Sequence, residues 1–377
     1  MRRLQKKRFQ NKGFSNKMGT VDFFLFSVIM LLVAVGVIMV FSASSYFAFY
    51  KYKDSMYFLK RQGLWATLGV IFMFIAMSYD YHEIKKHTKI IMIITTLLLL
   101  VVFAFPERNG ARRWIPLGPA TFQPSEIAKY MVVLFIAKSI EMKGEKIKTF
   151  FRGVIPYLLV GGFYAALVYL EKNLSIATVI MGVTFIMLFV AGAKFSHLLA
   201  VVAPVVCAGA AAILLVPFRR ARFFTYRNPW IDPQRTGYQL IQSFLALGSG
   251  GIWGVGLGQS RQKCYYIPEP HNDFIFAVIG EELGLIGCAF IVLLFSIFIW
   301  RGIVTAVKAK DTFGTMLATG ITAVIAIQAI INIAVVTGSI PVTGVPLPFI
   351  SYGGSSLVLN LTAMGVLLNV SRQKSNC

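Results

Sequence analysis

Acidic side chains are scarce in this sequence: 15 Asp and Glu stand against 37 Lys and Arg, a formal net charge of +22 over 377 residues. Charge of either sign is scarce too, at 14% of residues, where an ordinary soluble domain carries about 25%. The four cysteines, Cys207, Cys264, Cys288 and Cys377, have no recognisable spacing, which excludes a disulfide framework and a CxxC metal site. Four scattered histidines make a His-based metal centre improbable. What fills the chain instead is apolar: 57% of residues are hydrophobic, with 32 Phe, and mean hydropathy is +0.71. Such a chain belongs in a bilayer, so its basic excess has to be read loop by loop against the membrane rather than as a nucleic-acid signal.

A helix needs roughly 20 mainly apolar residues to cross the hydrocarbon core. The chain offers about ten such stretches, near 21–45, 63–79, 89–106, 124–140, 153–170, 174–193, 196–217, 274–300, 313–338 and 353–371. The reading is an all-α polytopic integral membrane protein: a basic tail over 1–20, one transmembrane domain over 21–371 and a short tail over 372–377. The first tail carries Arg2, Arg3, Lys6, Lys7, Arg8, Lys12 and Lys17 with no acid before Asp22, which places it in the cytoplasm and reads as an anchor rather than a signal peptide. Ten spans return the C-terminus to the same side. Lys143, Lys146, Lys148 and Arg152 then fall inside, as do Arg301, Lys308 and Lys310. A large loop over 218–272, between the seventh and eighth spans, falls outside although it holds Arg219, Arg220, Arg222, Arg227, Arg235, Arg261 and Lys263. Snorkelling arginines explain part of that excess; an outer surface for an anionic ligand is the sharper reading.

Three segments carry candidate chemistry. Asp273 stands where the outer loop enters an apolar helix, as an N-cap or as a functional acid, since an ionisable group there is costly unless paired or facing water. Glu281 and Glu282, two turns further in, need polar partners or a cavity. Pro124-Ser125-Glu126-Ile127-Ala128-Lys129 opens the fourth span with Glu126 and Lys129 one turn apart, either a self-neutralising pair or the wall of a polar cavity. Arg112 and Arg113, beside Trp114, suit lipid headgroups or a substrate. The Gly-rich run over 248–258 lacks a preceding strand and a Walker lysine, so a bent, partly re-entrant loop is expected rather than a nucleotide site. Three prolines within Pro341–Pro348 forbid a continuous helix there, and such backbone belongs only where it is buried or lines a cavity.

Taken together, the strings RNGARRWI, QPSEIAKY, TGYQLIQSFLALGSGG, GLGQSRQK, YYIPEPHNDFIFAVIGEELG and PVTGVPLPFISYGGSS resemble the SEDS family (shape, elongation, division and sporulation), polytopic glycosyltransferases of peptidoglycan. The form IPEPHNDFIFAVIGEELG, with DYHEIKKHTK and VFSASS, is more similar to the division-type FtsW and sporulation-type SpoVE branch than to RodA. The resemblance implies polymerisation of lipid II into β-1,4-linked glycan at the outer membrane face. It places the family's essential aspartate at Asp273 and its charged pair at Glu126 and Lys129; Arg112, Arg113, Gln239, Lys263, Glu269, His271 and Ser351 are further substrate-binding candidates in this sequence. One departure stands out: where relatives often read PDLGTA, this chain reads Lys172-Asn173-Leu174-Ser175-Ile176-Ala177, so no role of that carboxylate carries over.

An α-glycosyl pyrophosphate becoming a β-linkage calls for one inverting displacement. Glycosidases need a second carboxyl to protonate a poor leaving group; pyrophosphate leaves without it, so one base and cationic stabilisation suffice. A divalent cation, Mg or Mn, is an optional helper, and no organic cofactor is called for. Expected partners are the membrane, lipid II, the nascent glycan, a class B penicillin-binding protein to supply the transpeptidase this chain lacks, and division or sporulation septal proteins; nucleic acid is not expected. The alternatives are a lipid II flippase without bond chemistry, and a scaffold.

Overall fold

Long apolar runs with no water to satisfy their backbone can fold only as helices or closed barrels, and helices occupy all ten stretches predicted to span. The structure, a computed structural model, describes residues 19–107, 110–118, 120–215, 226–235 and 237–373; Arg108 and Asn109, and Arg219, Arg220 and Arg222, lie outside the described residues. In chain order the helices are α1 (Phe23–Tyr52), α2 (Tyr57–Ser78), the short α3 (Tyr81–Lys86), α4 (Thr88–Val101), α5 (Pro124–Lys143), α6 (Ile155–Leu170), α7 (Leu174–Val190), α8 (Phe195–Leu215), α9 (Tyr238–Gly250), α10 (Ile275–Val307), α11 (Thr312–Val336) and α12 (Gly354–Arg372). Among the described residues, six helical segments are long and apolar enough to cross a membrane: Phe23–Tyr52, Tyr57–Ser78, Phe150–Leu170, Ile275–Val307, Thr312–Val336 and Gly354–Arg372. The chain is thus an all-α membrane protein. Its small exception is a hairpin between α4 and α5, β1 (Ile115–Leu117) and β2 (Ala120–Phe122), paired antiparallel with Ile115 opposite Phe122.

Short acceptors start several helices. The side chains of Asp22, Asp80, Asn173 and Asp311 accept backbone N–H groups at the heads of α1, α3, α7 and α11, satisfying donors that a helix leaves unpaired. Asp22 also pairs with Arg301 near the end of α10, and its own N–H donates to Ser371 Oγ on α12 at 3.2 Å. Gly19 N donates to Arg372 O. The start of α1 and the end of α12 therefore meet at one end of the bundle. The same end holds Asp311, which accepts from Tyr81, and the Lys85–Glu141 pair.

At the opposite end two predicted breaks are realised. The Gly-rich run leaves α9 at Gly251 and doubles back against α10, whose backbone is non-helical at Gly284 (φ 65°). The two segments complete each other: Val255 N donates to Glu281 O at 2.9 Å, Gly256 N to Glu282 O at 3.0 Å, and Leu285 N to Gly251 O at 2.9 Å. The carbonyls and N–H groups freed by the kink are thus re-paired inside the protein, as nonhelical backbone in a membrane protein requires. Glycine is needed at 254, with φ of 79° and a Cβ position 2.2 Å from Glu282 O. Between α11 and α12, the proline-rich segment is irregular and largely buried, with Val345, Leu347, Phe349 and Ile350 in the interior. The predicted outer loop is not wholly loop, because α9 packs along α10 within it.

Candidate active site

The proline-rich segment is stitched to the turn before α10. Asn332 Nδ2 donates to Asp273 O at 2.8 Å and to Val345 O at 2.7 Å. Ser351 Oγ donates to Asn272 O and accepts from Leu347 N, both at 2.8 Å, and Tyr352 N donates to His271 O at 2.9 Å. Every contact fixes backbone, so the Asp273 side chain is aimed without being consumed. The residue preceding α10 is Phe274, which makes no side-chain capping bond, so Asp273 is not the N-cap. Among the described residues no donor is hydrogen-bonded to its carboxyl. Gly344 faces it closely: a Cβ there would sit 3.1 Å from Asp273 Oδ2, at a φ of 72°.

Asp273 opens into a cavity of about 630 Å³, the size of a small-molecule site. Four elements wall it: α2 with Tyr57, Arg61 and Trp65; the hairpin region with Arg113, Trp114 and Gln123; the heads of α5 and α7 with Glu126, Asn173 and Ile176; and Gly353 to Ser356 leading into α12. The close packing of α2 on α12, the most extensive helix pair, brings Arg61 to this wall. Its guanidinium lies 4.5 Å from the Tyr57 ring centroid and bonds Tyr352. Burial raises the Asp273 carboxyl to about 6; Glu269 nearby adds to the rise and Arg113 opposes it.

Arg112 and Arg113, although adjacent in sequence, have different surroundings. Arg113 turns in to line the cavity, its Nε donating to Glu171 O at 3.2 Å and Nη2 to Lys172 O. Arg112 stays exposed, on Phe103 O at 3.2 Å and 3.7 Å from Glu107. Glu126 lines the cavity, accepts from Ser356 Oγ at 2.8 Å and pairs with Lys129 at 2.9 Å. Lys129 is fully buried behind it, also donating to Gln328 at 3.0 Å. Glu269 lines the rim.

The other candidates lie outside this wall. His271 is buried among Phe47, Phe58 and Tyr352, does not line the cavity, and is lowered to about 4 by burial with Lys51 adding to the effect. Ser351 serves the backbone, and Gln239 belongs to α9. Lys263 is buried on Glu282 at 2.8 Å and on Gly258 O at 2.7 Å. This pair answers what Glu282 needs, together with Ser42 Oγ at 2.8 Å and Ser260 N at 3.4 Å. Glu281 accepts from Ser260 Oγ and, at 2.9 Å, from Arg261 N. Both glutamates therefore fasten the 260–263 segment to α10, and neither lines the Asp273 cavity.

Arg61, Trp65, Asn173 and Ser356 were missed from sequence. The first two lie inside an apolar span, where an arginine could have been flagged as costly unless it faces a polar cavity. Asn173 caps α7 and reaches the cavity. Among the described residues no three His, Cys, Asp or Glu side chains group as a metal site.

Comparison with known proteins meets this geometry. Residues 22–376 match the family model described as cell cycle protein, for FtsW, RodA and SpoVE. Stage V sporulation protein E of Bacillus subtilis is 46% identical over 361 residues, 95% of this chain and 99% of that protein. A protein of Geobacter metallireducens named probable peptidoglycan glycosyltransferase FtsW is 44% identical, over 92% of this chain and 94% of its own length. Among solved structures, one described as structural coordination of polymerization and crosslinking by a peptidoglycan synthase complex has a TM-score of 0.79 at 27% identity, covering 95% of this chain and 99% of that one. Rod shape determining protein RodA of Thermus thermophilus has a TM-score of 0.69 at 27% identity with the same coverage. The match runs the length of the bundle and through every segment that builds the cavity: the chain belongs to the FtsW, RodA and SpoVE family of cell cycle proteins.

Proposed function

We propose that this chain is a peptidoglycan glycosyltransferase, polymerising lipid II into β-1,4-linked glycan with release of undecaprenyl pyrophosphate, in division or sporulation. The observation that carries the reading is Asp273: an uncapped, unbonded carboxyl held by its backbone inside a cavity that also presents two guanidiniums, Arg61 and Arg113. The acceptor sugar's 4-hydroxyl attacks the donor anomeric carbon, the carbon–oxygen bond to pyrophosphate breaks on the opposite face, and the hydroxyl proton passes to Asp273. A base raised to about 6 is ionised at neutral pH yet close enough to it to be an effective acceptor. Planar guanidiniums suit the departing pyrophosphate, which they can bind in bidentate fashion. Glu126 is the wall acid already neutralised by Lys129, leaving Asp273 and the rim Glu269 as the two acids without such a cation. A divalent ion such as Mg or Mn would find those two carboxylates and otherwise the pyrophosphate's own oxygens; no step here passes through it.

In this reading all ten stretches cross the membrane within a single domain over 21–371, and the basic N-terminal tail and the C-terminus lie in the cytoplasm. The meeting of Gly19 and Asp22 with Arg372 and Ser371 supports an even number of crossings, and the cavity at the other end then faces outward. Cross-linking falls to a class B penicillin-binding protein, with septal proteins as further partners. The closed Glu126, Lys129 and Gln328 cluster weighs against a charge relay through the bundle, which a flippase would use. The test is Asp273→Asn, purified with its transpeptidase and given lipid II. Glycan synthesis is expected to fall by at least about 100-fold with lipid II still bound; efficient polymerisation by the variant refutes the reading.

A further inference from the structure

Glu171, at the turn between α6 and α7, is a carboxyl that the reaction above does not use. Its side chain is wholly buried, it does not line the cavity, and neither of its oxygens has a hydrogen-bond partner among the described residues. An ionised carboxylate so placed is costly, and burial pushes this one up to about 8, with Arg113 pulling the other way. Its backbone, by contrast, is engaged: the carbonyls of Glu171 and Lys172 are the two acceptors that hold Arg113 against the cavity wall. Arg113 is therefore within reach of two acids, Glu171 behind the wall and Asp273 in the cavity.

The other charges on the elements meeting this turn are engaged elsewhere. Lys172 donates to Gly110 O at 2.8 Å and lies 3.7 Å from Glu107. On α5, Glu126 and Lys129 are bonded to each other, and the first turn of α7 has no acid. Arg113 is thus the cation that answers to the state of Glu171.

We propose that Glu171 is a positioning residue for anion binding: carrying its proton, it leaves the full charge of Arg113 to the pyrophosphate in the cavity, and on losing that proton to solvent it takes Arg113 as its own counter-ion and loosens the anion. The inference rests on the pyrophosphate reading of the cavity. By reciprocity, an anion bound at Arg113 must strengthen the hold of Glu171 on its proton.

The test is binding of farnesyl pyrophosphate to the full detergent-solubilised chain by calorimetry between pH 7 and 9, for the wild type, Glu171→Gln and Glu171→Leu. Each protein is compared with itself across pH, so differences in folding yield drop out, and the ionisation of the probe is common to all three. Wild-type Kd is expected to rise by roughly five-fold over this range, as one unit of coupling on a group near 8 gives, while both variants stay within about two-fold. A flat wild-type profile, or a variant that keeps the wild-type rise, overturns the role of Glu171 and leaves the pyrophosphate site standing. Failure of the wild type to bind the probe at pH 7 overturns both.

Discussion

Replacing Lys263 with methionine is expected to damage this protein by stranding Glu282 rather than by removing a substrate contact. The two side chains are almost wholly buried, at 5% and 0% exposure, with Nζ 2.8 Å from Oε1, and Lys263 lies outside the Asp273 cavity. Breaking a buried pair from one side costs about 3–5 kcal/mol, whereas replacing both partners by neutral groups is often close to neutral. Lys263→Met should unfold several degrees earlier than the wild type in detergent. Adding Glu282→Gln, which keeps an acceptor for Ser42 and Ser260 N, should restore most of the loss. Polymerisation of lipid II, assayed at a temperature where all three proteins are folded, should follow the same order. A double variant that is as stable as the wild type but makes no glycan would refute this reasoning and return Lys263 to the substrate.

Two further outcomes follow from the same geometry. Asp273 must be ionised to accept a proton, and its carboxyl is raised to about 6, so turnover should be sustained above that pH and fall as pH drops through it, to roughly one tenth at pH 5; a rate unchanged down to pH 4.5 in lipid II assays would exclude Asp273 as the base. Gly254→Ala places a Cβ 2.2 Å from Glu282 O in left-handed backbone, and should lower the unfolding temperature by the equivalent of about 2–3 kcal/mol, whereas Gly162→Ala in α6, where nothing lies within 4 Å of the added carbon, should not.

The spans were legible because a hydrocarbon solvent enforces helices wherever about 20 apolar residues run together, and the breaks because glycine and proline punctuate locally. The partners of a buried charge were not, since they come from distant segments. Nothing near Lys263 in sequence announces Ser42 or Glu282, and a basic residue in a predicted outer loop points toward an anionic ligand, whereas the structure sets it against Glu282. The same holds for Arg112 and Arg113. Their adjacency makes them equal candidates, and only the carbonyls of the turn between α6 and α7, which catch Arg113, tell them apart. Glu126 and Lys129 show both readings at once: a self-neutralising pair, and a cavity wall on the glutamate side alone.

The basic excess takes on a different meaning once these partners are counted. Of the cations at the cavity end of the bundle, Lys263 is matched by Glu282 and Lys129 by Glu126, while Arg112 and Lys172 flank Glu107. Among the described residues Arg61 and Arg113 are the basic side chains of the cavity wall, facing Glu126, Glu269 and Asp273, so the charges of this wall come close to balance despite the +22 of the chain. A site that held a pyrophosphate by net charge alone would bind it as tightly after reaction as before. One that uses two directed guanidiniums against nearby carboxylates can strengthen its hold as charge develops on the leaving group and relax once it departs, the differential binding that catalysis requires.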